Sequence, residues 1–297
     1  MDSMTSICSL YISQTGFRDL SALSHPKLSH LTLSFMHRTS MESQPTLTTL
    51  LSTLSKLPSL TSLHLRNLPA FYPTSQRPEK IFLCKLAELR VNGNNKACHD
   101  LLRHLDLGQQ ASVFLYSHEA EHFAIEPILE VIDLFGSLLY PSATKDVYTS
   151  IVSLSFIQEK SYINIQGWTS VLPPRDFGRV ATQEKARFHF KIRSKPEQTE
   201  IWMEHLLIRL RLQHVEALHI CQNPDLDTAK STWASLRSAV QTVFGNSTSL
   251  HTLAVFGMES HQLASLLSYR GPFLKLDSGL FPSLKHVLAE HIFWPNK

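Results

Sequence analysis

Apolar positions recur along this chain at one spacing. Leu57, Leu60, Leu63, Leu65 and Leu68 set it, with polar residues between them, and the three-point skeleton (first, fourth and sixth positions apolar) returns elsewhere. It is found at Ile7/Leu10/Ile12, Leu28/Leu31/Leu33, Leu86/Leu89/Val91, Ile151/Leu154/Phe156, Val215/Leu218/Ile220, Leu250/Leu253/Val255 and Leu284/Val287/Ala289. In most of these sets the last two apolar positions flank a polar or small one, which predicts a short strand with one buried face. Ser112 to Tyr116 and Arg187 to Ile192 alternate in the same way.

Between these strands the apolar spacing changes to the three-and-four rhythm of a helix. Thr46 to Leu57 places Leu47, Leu50, Leu51 and Leu54 on one stripe, and Lys96 to Leu107 does so with Cys98, Leu101, Leu102 and Leu105. Ile128 to Leu139, Glu197 to Leu212, Thr228 to Phe244 and His261 to Ser268 also read as helices. Strand and helix alternating at a fixed leucine spacing is the signature of leucine-rich repeats, whose stacked copies share one core. The expected fold is therefore α/β, an irregular leucine-rich-repeat solenoid (a horseshoe) with a parallel concave sheet and convex helices. One domain is expected over residues 1–297. Repeat starts lie about 21 to 41 residues apart, wider than regular repeats allow. Gln158 to Gln183 reads as an insertion between repeats, with an extra strand at Tyr162 to Gln166 and an exposed loop from Trp168 to Asp176. An ordinary α/β sheet with crossovers shares the alternation but leaves the recurring third leucine unexplained.

Composition narrows the class. Charged residues make up 18% and the formal net charge is +3, without a basic run, so neither nucleic acid nor an anionic membrane surface is the expected partner. No apolar stretch reaches membrane-spanning length, and the N-terminus lacks the charged-then-apolar order of a signal peptide. Cytoplasmic or nuclear placement is expected. Cys8, Cys84, Cys98 and Cys221 form no C-x-x-C and read as reduced, mostly buried thiols.

Four stretches carry a family resemblance: Leu86 to Leu105, Ile151 to Ser170 with its Gly167, Trp168 and Thr169, Leu253 to Leu267, and Phe281 to Phe293. Together they resemble the leucine-rich-repeat, substrate-recognition half of basidiomycete fungal F-box proteins. The resemblance implies a role in choosing substrates for an SCF-type ubiquitin ligase. The F-box itself is not found, since a repeat already begins at Ile7. Glu126 to Ile132 is faintly similar to one but lies between two strands, and reads as a convex-face helix.

Candidate chemistry is sparse. His118, Glu119 and His122 satisfy H-E-x-x-H, the zinc-hydrolase pattern, which makes an intracellular zinc hydrolase the alternative function. Against it, Glu121 places a charge inside the motif, and the segment directly follows a strand. Cys98 and His99 are adjacent, which turns them apart on a helix. The leading expectation is a non-enzymatic protein-binding scaffold without metal or cofactor, a monomer or one part of a larger complex, whose partners include ubiquitination substrates. Period 2 turns the residue between the two inward apolar positions outward. Those residues and their neighbours give the candidate contact face: His64, Arg66, Arg90, Phe114, Tyr116, His189, His219 and Phe256. A partner with an acidic patch beside an apolar one suits it.

Overall fold

Six strand entries donate twice to the carbonyl of the residue just ahead of a neighbouring strand. Ser29 N and His30 N both donate to Cys8 O, Thr61 N and Ser62 N to Ser29 O, and Ala87 N and Glu88 N to Thr61 O. The device returns further on, with Glu216 N and Ala217 N on Val152 O, His251 N and Thr252 N on Glu216 O, and Lys285 N and His286 N on His251 O. A three-residue turn precedes many of these entries, as in Leu60 N to Leu57 O (3.1 Å), Leu86 N to Leu83 O (3.1 Å) and Leu284 N to Phe281 O (3.0 Å). These turns place the first leucine of each set beneath the strand and satisfy backbone groups that burial would otherwise orphan.

The computed structural model describes residues 7–13, 23, 25–35, 46–71, 78–108, 110–118, 126–139, 150–159, 162–172, 186–193, 196–210, 212–222, 229–267 and 280–292. The chain divides into two units, Met1–Tyr148 and Thr149–Lys297. In the first, β1 (Ser9–Ser13), β2 (His30–Ser34), β3 (Ser62–Leu68), β5 (Glu88–Asn94) and β7 (Ser112–His118) lie side by side in that order, all parallel. The helices are α1 (Leu47–Ser55), α2 (Asn95–Leu102) and α3 (Glu126–Leu139). Two short strands, β4 (Ile81–Leu83) and β6 (Leu105–Leu107), pair with each other beside α1 and α3. Leu105 and Leu107 thus leave the helix expected over Lys96 to Leu107. Their alternation serves the β4 pairing, and α2 stops at Leu102.

Register in this unit is residue for residue. Leu31, Leu63, Leu89 and Val113 form one rung and Leu33, Leu65, Val91 and Leu115 the next, all buried. Fully burying such a side chain contributes about 1.5–3 kcal/mol. The register slips once, between Leu65 and Leu68 of β3, where Asn67 adopts a positive φ of 54°. Asn tolerates this conformation better than most residues. Opposite it, Gly93 is required by close approach, because a Cβ there would lie 2.9 Å from both Cβ and O of Leu68. Side-chain caps fix the helix starts: Thr46 Oγ1 accepts from Thr49 N (3.1 Å) and Asn94 Oδ1 from Ala97 N (2.7 Å).

The second unit orders its strands β10 (Phe188–Arg193), β9 (Tyr162–Trp168), β8 (Ser153–Glu159), β11 (Ala217–Gln222), β12 (Thr252–Phe256) and β13 (His286–Glu290). The extra strand expected at Tyr162 to Gln166 is present as β9. It corrects the all-parallel sheet, because β9 runs antiparallel to both β8 and β10, while β8, β11, β12 and β13 are parallel. Helices α4 (Pro196–Arg209), α5 (Ala229–Phe244) and α6 (Ser260–Leu267) belong to this unit. Leu154, Leu218 and Leu253 form one buried rung and Phe156, Ile220 and Val255 another. Phe190 packs on Trp202 of α4 with ring centroids 6.5 Å apart. β13 departs from expectation, since Val287 is 47% exposed where its spacing predicts core. Among the described residues no helix is long and apolar enough to cross a membrane.

Candidate interaction face

The outward face of the first sheet follows from the same alternation that builds its core. With Leu63 and Leu65 inward, His64 must point away from the core, and the register sets it between Thr32 and Arg90, with Phe114 next and Tyr11 at the far edge. Adjacent strands are about 4.8 Å apart, so these side chains are immediate neighbours. Arg66 lies two residues along from His64, exposed, and Tyr116, half-buried, two along from Phe114.

Glu88 ties the row together. Its Oε1 accepts from His64 Nε2 at 2.8 Å and also from Arg90 Nε, and its side chain is only 13% exposed. Ser62 Oγ lies 3.2 Å from the same His64 nitrogen. Arg90 is held from its other side by Phe114, whose ring centroid is 4.5 Å from the guanidinium carbon. Tyr116 and His118 continue the aromatic edge with ring centroids 6.0 Å apart. The result is an ion pair in which carboxylate, imidazole, guanidinium and ring each fix the next, with the arginine still 51% exposed.

The strands of the second unit place their candidates in register but do not leave them open. His189, Gln166, Ser155, His219, Ala254 and Leu288 form one row. Yet Ser155 and Ala254 are buried and His219 is 1% exposed. On the same face Ser153 is also buried, tied to the segment after β9: its Oγ donates to Ser170 O (2.8 Å) and accepts from Leu172 N (3.0 Å). Trp168 packs there with Leu172 and Ala186. His219 is therefore corrected from contact residue to buried residue, and burial drives its imidazole pKa down to about 2. His189 and Phe256 remain half-buried. Trp168, expected to open an exposed loop, is itself buried.

Other sequence candidates separate from this face. His118 ends β7, whereas Glu119 and His122 lie outside the described residues. Among the described residues no group of three or more His, Cys, Asp or Glu side chains could hold a metal ion. Cys98 is fully buried, and desolvation pushes its thiol up to about 12 despite a hydrogen bond with Ser117 that opposes the shift. A thiol so held is a poor nucleophile. His99 faces Asp100 (3.1 Å) and Glu130 (3.6 Å) instead. Burial also raises the Cys221 thiol. Cys8 and Cys84 are exposed, against the expectation of mostly buried thiols; one precedes the edge strand β1 and the other follows β4.

Spacing alone places Glu88 beside the row rather than at its centre. Its role becomes readable only with the register, which brings it next to the His64 strand while period 2 keeps it on the face of Arg90. A scan against protein-family models finds no match, and no curated protein matches the sequence.

Proposed function

We propose that the chain is a leucine-rich-repeat solenoid acting as a non-enzymatic protein-recognition scaffold, cytoplasmic or nuclear, a monomer or one part of a larger complex. By its resemblance to fungal F-box proteins, its partners are substrates presented to an SCF-type ubiquitin ligase. The repeated carbonyl entry of the strands, and the core rungs with one buried apolar side chain per strand, support the solenoid reading. The observation that carries the recognition reading is the aligned, part-exposed row of His64, Arg90 and Phe114 with Arg66 and Tyr116 beside it. Arginine and aromatic side chains dominate the energy of protein interfaces, and here they stand on a rigid sheet with one arginine already positioned. Affinity capture from a fungal lysate tests it, comparing the wild type with an Arg66→Glu/Arg90→Glu double variant of matched melting temperature. Partners lost from the variant support the face. Identical partner lists from the two proteins refute it.

A further inference from the structure

We infer that the outward face of the first sheet takes an extended acidic segment of a partner protein, in which a carboxylate docks on Arg90 beside Arg66 and an apolar residue two positions away covers Phe114 and Tyr116. The inference rests on the protein-recognition reading and specifies its chemistry.

Charge on this face is one-sided. Among the described residues on the outward face of β1, β2, β3, β5 and β7, Glu88 is the one acid, and its nearly buried Oε1 is already shared by His64 and Arg90. Its charge is spent within the face. Arg66 is exposed and has no ion-pair partner among the described residues. Arg90 gives Nε to Glu88 and its carbon face to Phe114, which leaves its two amino groups for an incoming acceptor. A guanidinium offers five N–H donors in a planar fork that matches a carboxylate. Because the fork is fixed before binding, little side-chain freedom remains to be lost on docking. Two permanent cations are few for nucleic acid, whose binding neutralises many phosphates, but enough to select one acidic side chain.

Spacing supplies the second half of the motif. Phe114 sits one strand over from Arg90, and Tyr116 is two residues further along β7, about 7 Å on. In an extended segment, residues two apart point to the same side with the same separation of about 7 Å. Tyr116 lies one strand across and two residues along from Arg90, about 8 Å away, so an acid and an apolar residue separated by one position reach from the arginine to the aromatic pair. A basic segment would instead meet Arg66 and Arg90 with like charge.

The experiment measures fluorescence anisotropy of the full chain with labelled peptides in which Glu and Phe alternate with Ser. Counterparts carry Gln or Lys in place of Glu. We expect the Glu peptide to bind about tenfold or more tightly than the Gln peptide, and the Lys peptide most weakly. Arg90→Gln should remove most of the preference for the Glu peptide over the Gln peptide. Arg66→Gln, at an exposed position that cannot disturb the fold, should give a smaller loss of the same kind. Equal binding of Glu and Gln peptides overturns acid selection and leaves the protein-recognition reading standing. Binding of none of the peptides likewise overturns the inference, whereas the affinity capture above judges the recognition reading by itself.

Discussion

Leu63 is fully buried between Leu31 and Leu89 of the neighbouring strands, so truncating it opens a cavity in the middle of that rung. Leu63→Ala is expected to destabilise the chain by about 2–5 kcal/mol, read from denaturant unfolding; a loss under about 1 kcal/mol would contradict the packing. His219 gives a prediction of opposite kind, since it is buried polar surface rather than buried hydrocarbon. It stays neutral in the fold down to about pH 2, whereas the unfolded chain protonates it near 6.5. Its contribution is fully present above pH 6.5 and is lost as pH falls below that value. Between pH 7 and pH 5 the wild type should lose on the order of 2 kcal/mol more than His219→Gln, and parallel losses would refute the assignment. At this scale the sequence is legible where period 2 decides: Leu63, Leu65, His64 and Arg90 all face as their spacing dictates. His219 obeys the same period and still ends buried, because facing is a property of a strand, while exposure depends on what folds over it.

Elements were readable in kind and less so in extent. Thr46 and Asn94 start their helices as capping residues should, but the end of α2 depended on β4, a partner some twenty residues away in sequence, and no local signal reveals that pairing. The spacing of Leu63, Leu65 and Leu68 does carry the bulge of β3: intervals of two and then three with all three leucines buried require one extra residue on that strand. A strand may also depend on what is missing from its partner. Phe188 lies opposite Gly167, and a Cβ on Gly167 would come within 2.2 Å of the Phe188 ring, which is fully buried. Gly167→Ala is expected to cost about 1–3 kcal/mol and to alter the near-ultraviolet aromatic signal; a variant as stable as the wild type would mean the ring has room to move. Gln241 of α5 ties its helix to the next one by donating to Ser265 O (3.2 Å) and Leu266 O (2.9 Å) of α6. Gln241→Leu leaves those carbonyls without their donor and should lower stability by about 1–3 kcal/mol, with faster amide exchange at the end of α6.

For the molecule, the candidate site was legible as a set of strand positions and not as a surface. Composition argued against a nucleic-acid or anionic-membrane partner, and the row of Arg90 and Phe114 followed from counting, but the Glu88 clamp needed the register and the burial of His219 needed the folded chain. Acid selection by Arg66 and Arg90 at an exposed face should fade with ionic strength, so raising salt should shrink the difference between acidic and neutral peptides while sparing the apolar contribution. The carbonyl entry of the strands carries a consequence for inheritance of form. Six strand entries are set by the carbonyl just ahead of a neighbouring strand, so at those entries the length of the intervening segment is free to vary while the alignment is carried over. Duplication or trimming of the intervening segments would be forgiven. A one-residue slip at an entry point would be transcribed into every strand templated on it.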